Sequence, residues 1–165
     1  MDDFSVIITF LTRLSLVLLF LPFSALDKVL NFKAAVGQAG EIGVARPLAA
    51  ALILVGLTVE VVMSLGVLTG IADRLAAFIL AGYCAATAIL YKQFWTKPDF
   101  RLRGPSEGRE VFWDFLKNFA VAGGFLVVTF GTSAGTVDDF FAAPFSSTHP
   151  YSVTAPLAAD GEGAR

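Results

Sequence analysis

The chain of 165 residues contains one cysteine, Cys84, and one histidine, His149. A single cysteine excludes an internal disulfide and a C-x-x-C redox motif, and a single histidine excludes haem ligation by paired histidines. His149 has no second histidine or cysteine near it, so we expect no metal site. The sequence also lacks a phosphate-binding loop, a dinucleotide fingerprint and a Ser-His-Asp set. It therefore predicts no catalytic residues and no cofactor bound by a motif of this chain's own.

Charged residues are scarce as well. They make up 16% of the chain, whereas hydrophobic residues make up 56% and the mean hydropathy is +0.71. Soluble domains carry about 25% charged residues, so this composition indicates a membrane protein whose main partner is the lipid bilayer. The net charge of −2 is too small to predict nucleic-acid binding.

Four segments are long and apolar enough to span a bilayer, at about residues 4–30, 47–70, 73–95 and 110–130. Backbone groups in lipid must be satisfied internally, and continuous apolar runs without two-residue alternation exclude a β-barrel. We therefore predict an all-α membrane protein with a four-transmembrane-helix bundle over residues 1–131. Residues 132–165 have no helical period and are predicted to form an extramembrane C-terminal tail.

Basic residues cluster on two connections. Nine of the twelve lysines and arginines lie in or beside the segments 31–46 and 96–109. The positive-inside rule then places loops 31–46 and 96–109 in the cytoplasm and both termini outside.

Three polar side chains interrupt the apolar segments at similar depth. Arg13, Glu60 and Tyr83 each lie about nine or ten residues from the end that the termini share, or roughly 13–15 Å along a helix. We predict a buried Arg13–Glu60 ion pair with Tyr83 in the same layer, because an ionised group in lipid is costly unless it is paired. Such a layer either fixes helix order or forms a cavity for a quinone headgroup or a proton, and both interpretations remain open.

The fourth segment begins with a polar cluster. Asp114 is three residues from Lys117 and four from Asn118, so all three lie on adjoining helix faces. Lys117 is expected to contact Asp114 or to extend to the interface, and Asn118 is expected to form an interhelical hydrogen bond.

Small residues indicate close helix packing at two places. Gly66 and Gly70 form a G-x-x-x-G motif at the end of the second segment, and Gly123 and Gly124 are adjacent in the fourth. Packing within the chain is the first interpretation, and packing against another protein is the second.

An ordered set of short motifs resembles the DoxX family of small four-helix membrane proteins over residues of about 4–141. The motifs are Arg13, DKVLNF at 27–32, GLTVE at 56–60 with Glu60, GVLTG at 66–70 followed by Arg74, FWT at 94–96, and FLKNFAVAGG at 115–124. Lys92 stands where family members often carry a histidine before the Phe-Trp pair, so histidine-dependent chemistry does not carry over to this chain.

The resemblance implies the four-helix fold, but it implies an activity less directly. Some relatives resemble the small membrane subunit of a thiosulfate:quinone oxidoreductase, and others accompany redox or sulfur-handling proteins. The first hypothesis is a non-catalytic accessory subunit of a membrane redox or electron-transfer complex, assembled with other membrane protein subunits. The alternatives are a quinone-binding subunit of a sulfur-compound:quinone oxidoreductase and, third, a small-molecule transporter. We expect a bacterial or archaeal cytoplasmic membrane, with quinone or bound lipid as the open ligand choices.

Overall fold

The computed structural model describes residues 2–40 and 43–153. Four of its helical stretches are long and apolar enough to cross a membrane: Asp3–Leu30, Arg46–Thr69, Asp73–Thr96 and Glu107–Phe130. The described residues contain helices and no strands. The predicted fold class, an all-helical membrane protein with four candidate spans, is confirmed.

The first stretch is not one straight helix. Helix α1 (Asp2–Val17) is followed by a π-helical turn (Leu19–Ser24) and by α2 (Ala25–Leu30). The chain is extended at Leu21, with φ −118° and ψ 110°, immediately before Pro22. Pro22 has no N–H to donate, so the helical hydrogen-bond ladder is interrupted at this point.

Helix α3 (Phe32–Gly40) occupies most of the segment 31–46, which was predicted as a loop and contains Gly37, Gly40 and Gly43. Its buried residues Val36 and Ala39 are spaced by three and pack against Ala49 at the start of the next helix. This spacing is one helical face, and the burial of that face stabilises a helix that its glycines would otherwise disfavour.

The next two helices form a tight hairpin. Helix α4 (Arg46–Thr69) ends at Gly70. The φ of Gly70 is +79°, in the left-handed region that favours glycine. Helix α5 (Asp73–Tyr91) returns antiparallel to it and is followed by a short 3-10 turn (Phe94–Thr96). The bundle core lies between α5 and its neighbours, where Val67, Leu80 and Phe125 are fully enclosed.

Helix α6 (Glu107–Phe130) begins three residues earlier than predicted. Ser106 is its N-cap and accepts a hydrogen bond of 3.1 Å from the Arg109 amide. The Asp99 carboxylate accepts two further bonds, of 2.6 Å from the Glu107 amide and 3.0 Å from the Gly108 amide. These three acceptors satisfy amides that a helix start leaves without partners, so the charged first turn is helical.

The segment after α6 contains a helix, contrary to the sequence prediction that it has no helical period. Helix α7 (Gly135–Ala142) places Phe140 against Phe78 and Phe130, with ring centroids 5.3 Å apart in each case. Arg74 donates to the Thr129 carbonyl at 2.8 Å and to the Thr136 carbonyl at 2.9 Å, so it ties α5 to α6 and α7.

Residues 143–153 continue across the α4–α5 hairpin. Tyr151 donates a hydrogen bond to the Leu68 carbonyl, and Pro150 lies so close to Gly70 that a Cβ there would stand 2.8 Å from it. Contacts with Leu68 and Gly70 therefore hold this segment against the hairpin. The predicted tail from residue 154 onward lies outside the described residues.

Candidate functional site

Glu60 lies in the middle of α4 and is 1% exposed. One of its oxygens, Oε1, accepts three hydrogen bonds: 2.6 Å from Lys28 Nζ, 2.9 Å from Tyr83 Oη and 3.1 Å from Ser24 Oγ. We call these four residues the Glu60 cluster. It joins α4 to α5 and to the part of the first stretch that follows the break at Pro22.

Local sequence explains how Tyr83 reaches Glu60. Gly56 is one turn before Glu60 on α4, and a Cβ at Gly56 would stand 3.0 Å from the Tyr83 hydroxyl. The absence of a side chain at Gly56 therefore leaves room for the Tyr83 hydroxyl against α4. Lys28 reaches the carboxylate from α2 and also donates to Ser24 at 2.6 Å.

The Glu60 cluster is electrically balanced but not fully hydrogen-bonded. Lys28 is an ion-pair partner at 2.6 Å, which removes most of the penalty of a charge in lipid. The second carboxylate oxygen, Glu60 Oε2, is enclosed and has no hydrogen-bond partner among the described residues. The Ser64 hydroxyl, one turn further along α4, is also enclosed and has no hydrogen-bond partner among the described residues. Chemically, an enclosed carboxylate oxygen without a donor is an acceptor for a proton or for a ligand hydroxyl.

A second buried cluster lies nearer the hairpin. Arg13 forms an ion pair with Asp73 at 2.7 Å and donates to the Val67 carbonyl at 2.6 Å. Thr148 completes this Arg13 cluster, because it accepts from Arg13 at 2.6 Å and donates its hydroxyl to Asp73 at 2.5 Å. The Thr148 amide donates to the other Asp73 oxygen at 2.9 Å. Arg13 and Asp73 are both buried, at 8% and 0% exposure.

The predicted Arg13–Glu60 pair is therefore corrected to two separate pairs, Arg13–Asp73 and Lys28–Glu60. The depth argument assumed that the first helix begins at the level where the second helix ends, near Gly70. Arg13 instead contacts the first residue of α5 and a carbonyl two residues from the end of α4, so α1 begins beyond the hairpin. Tyr83 is brought to Glu60, and Arg13 is not.

The polar cluster at the start of the fourth span has a different arrangement from the two buried clusters. Asp114 pairs with Lys117 at 3.2 Å and also with Lys92 at 3.3 Å, which links α6 to the end of α5. Asn118 is half-buried and has no side-chain hydrogen bond within the described part of the chain. The described residues therefore do not form the interhelical hydrogen bond that was expected of Asn118.

Three of the four glycines singled out from the sequence make close contacts within the chain. A Cβ at Gly66 would stand 2.9 Å from the Ala76 Cβ on α5, and one at Gly124 would stand 2.9 Å from Leu16 on α1. Gly70 ends α4 in the left-handed region, whereas a Cβ at Gly123 would have no neighbour within 4 Å among the described residues. Gly66 and Gly124 therefore allow close approach of α5 and α1 respectively.

Sequence reasoning missed Lys28, Asp73 and Thr148. Lys28 was counted among the loop charges, although it lies inside the first predicted segment and a lysine side chain reaches about 6 Å back along its helix. Asp73 directly follows a tight turn, where an acidic first residue is expected from helix capping alone. Nothing local to Thr148 marks it, because its partners are 135 and 75 residues away.

Neither a search of curated proteins nor a search of solved structures finds a match to this chain. A scan against protein families matches the DoxX family over residues 8–93, just over half of the chain. That range contains Arg13, the complete Glu60 cluster and Asp73, whereas Thr148 lies beyond it. Together with the four candidate spans, this match establishes that the chain belongs to the DoxX family of multi-pass membrane proteins.

Proposed function

We propose that this protein is a non-catalytic accessory subunit of a membrane redox complex and that it binds its partner through the first turns of α1. The observation that carries the proposal is the position of those turns. Arg13 bonds to residues at the hairpin end of the bundle, and eleven residues of helix, or about 16 Å, precede it. Allowing about 6 Å for the arginine side chain, α1 extends about 10 Å past the level of Val67, which is about 5 Å short of Gly70, and therefore about 5 Å past the hairpin.

The first turns of α1 begin with two acidic residues, Asp2 and Asp3, and carry exposed large apolar side chains. Phe4 is 68% exposed and Ile7 is 53% exposed. Helix α5 runs 19 residues from the hairpin, or about 28 Å, which already matches the hydrocarbon thickness of a bilayer. With α5 filling the hydrocarbon, the first turns of α1 lie at the headgroups or beyond, where large apolar side chains are stabilised by a protein partner.

Other large apolar side chains at this end of the molecule are exposed too. Ile71 in the hairpin is 73% exposed, and Phe141 and Phe145 after α6 are 66% and 74% exposed. Turns and chain segments outside a bilayer are ordinarily polar, so this composition favours a protein-facing end over a water-facing one.

The non-catalytic role is supported by this chain's own residues, and the redox character of the partner is proposed from the family resemblance alone. Within the described residues no group of three or more His, Cys, Asp or Glu side chains could hold a metal ion, and Cys84 is buried. The Arg13 cluster is saturated by its own members, which is typical of a structural role. Because some relatives of this family accompany redox proteins, we expect a partner that carries a flavin, a haem or an iron–sulfur cluster.

We further propose the orientation that the basic loops indicate, in a bacterial or archaeal cytoplasmic membrane. Loops 31–46 and 96–109 would face the cytoplasm, and the hairpin end with the first turns of α1 would face outward. The proposed partner surface is then on the outer side.

Purification of the tagged protein from its own membranes in a mild detergent tests the accessory role. We expect a stoichiometric partner with a flavin, haem or iron–sulfur absorption spectrum. Phe4→Ser with Ile8→Ser should release that partner, because both side chains lie on the exposed extension. The matched control is Val55→Ser with Val62→Ser, two exposed positions in the middle of α4. A folded monomer purified alone would overturn the proposal.

A second candidate is a quinone-binding subunit, and Glu60 Oε2 specifically favours it. This oxygen is enclosed and has no partner among the described residues, and the other oxygen of the same carboxylate, Oε1, accepts from the Tyr83 hydroxyl and the Lys28 ammonium. A quinol hydroxyl would supply the missing donor. Quinone extracted from the purified protein should then fall in Glu60→Gln and stay unchanged in Asn118→Ala. Equal quinone content in Glu60→Gln and wild type would contradict this candidate.

A further inference from the structure

A wide-mouthed pocket lies between α3 and the start of α4, at the opposite end from the hairpin. Its volume is about 300 Å³. It is lined by Phe32, Lys33, Val36, Arg46, Pro47 and Ala50. Four of the six are apolar, and the two polar ones are both cations.

The two cations have no acidic partner in residues 2–40 and 43–153. Lys33 and Arg46 are both exposed and form no ion pair there. Lys28 and Lys92, which lie in the same half of the bundle, are each paired with a carboxylate. Among the described residues, the pocket therefore has two cations without an ion-pair partner beside an apolar floor.

The depth of the pocket suits a lipid headgroup. Arg46 is the first residue of the span Arg46–Thr69, and Pro47 and Ala50 are in its first turn and a half. A helix start of a spanning segment lies where the hydrocarbon meets the headgroups. At that level a phosphate would face the two cations, while an acyl chain would extend along the apolar residues toward the bilayer centre.

We propose that this pocket binds an anionic phospholipid, with its phosphate between Lys33 and Arg46 and an acyl chain over Phe32, Val36 and Pro47. Charge complementarity favours the anionic lipid, because a zwitterionic headgroup would bring a further positive charge toward two cations that have no ion-pair partner among the described residues. The apolar floor selects an amphiphile over a soluble anion, because only an amphiphile buries it. The site does not depend on the presence of a partner subunit.

The test is native mass spectrometry of the full-length protein, delipidated in detergent and titrated with phosphatidylglycerol or with phosphatidylcholine. Wild type should bind the first phosphatidylglycerol about 30-fold more tightly than phosphatidylcholine, because each of the two basic residues near the headgroup contributes about 1 kcal/mol. Lys33→Gln with Arg46→Gln should lose that preference. The matched control is Arg101→Gln with Arg103→Gln, which removes two charges from the other loop at the same end and should keep it.

Two further experiments distinguish a bound lipid from other ligands. Ala50→Trp leaves both cations in place and fills the apolar floor, so it should weaken phosphatidylglycerol binding as well. Inorganic phosphate at millimolar concentration should not displace the lipid. Loss of preference in both double variants, unchanged binding in Ala50→Trp, or displacement by phosphate would each overturn the proposal. A thermal melt of each variant confirms that it is folded before the titration.

Discussion

Arg13 on α1 and Asp73 at the start of α5 form a buried ion pair of 2.7 Å, and Thr148, far along the chain, bonds to both. Three distant parts of the sequence thus meet at one point beside the α4–α5 hairpin. The pair is inside the protein, with the Asp73 side chain fully enclosed. Its effects on stability and on the segment after α7 can be separated experimentally.

Removing one partner of this pair should destabilise the bundle strongly. Asp73→Ala leaves the Arg13 guanidinium buried with fewer acceptors, and we expect a loss of about 3–5 kcal/mol. Arg13→Ala with Asp73→Ala should cost less than the sum of the two single changes, because no charge is then left unpaired. Unfolding in detergent mixed with dodecyl sulfate measures the stability of the three variants. Losses of stability that add up in the double variant would contradict a direct pair.

Thr148 should hold the segment 143–153 on the hairpin. Thr148→Val removes the hydroxyl that donates to Asp73 and accepts from Arg13, while it keeps the backbone amide. A spin label at Ser152, in a background with Cys84→Ala, should become more mobile in this variant. Thr12→Val is the control, since the Thr12 hydroxyl bonds only to the Ile8 carbonyl in its own helix. Equal label mobility in both variants would show that Thr148 does not anchor the segment.

The second pair should behave as a coupled unit as well. Lys28→Met leaves the Glu60 carboxylate buried without its cation, and Glu60→Gln leaves Lys28 without its anion. We expect each to cost about 3–5 kcal/mol and the double change to cost less than their sum. Tyr83→Phe removes one of three donors to the same oxygen and should cost only about 1 kcal/mol. A larger loss for Tyr83→Phe than for Lys28→Met would overturn this ranking.

The glycines allow a prediction with an internal control. Gly66→Ala would place a Cβ 2.9 Å from the Ala76 Cβ, so α4 and α5 must separate and the protein should lose stability. Gly82→Ala and Gly123→Ala meet nothing within 4 Å among the described residues. Both should be neutral or gain up to about 1 kcal/mol from helix propensity. Thermal melts that ranked Gly82→Ala or Gly123→Ala below Gly66→Ala would contradict the packing described between α4 and α5.

The start of α6 should depend on pH through Asp99. The hydrogen bond from the Gly108 amide is the main cause that holds the pKa of the Asp99 carboxyl below its usual value of 3.8, and the Glu107 amide adds to it. A lowered pKa in the folded state means that the carboxylate contributes stability above pH 3.8, and that this contribution is lost as the pH falls through the lowered value. Asp99→Asn should therefore lose less stability than wild type between about pH 6 and about pH 2. Equal losses in melts at the two pH values would count against the cap.

The sequence alone predicted the helices better than the contacts between them. Apolar runs were sufficient to predict four spans, because lipid requires internally hydrogen-bonded segments of a set length. The Glu60–Tyr83 layer was predicted from depth along two helices that share a hairpin, where depth is well defined. Arg13 was misplaced because nothing local shows that α1 begins beyond the hairpin. Helix α3 was missed because its glycines resemble a loop, and only its packing on α4 stabilises it.

The central claim, that the extension of α1 binds a partner subunit, is tested most directly by photo-cross-linking in the native membrane. A benzophenone amino acid is placed at Phe4 and, as a control, at Val55, which is 61% exposed in the middle of α4. The accessory role predicts a cross-link from position 4 to one redox protein at high yield, with lipid adducts from position 55. Lipid adducts alone at both positions, or cross-links from position 4 only to a second copy of this chain, would contradict it.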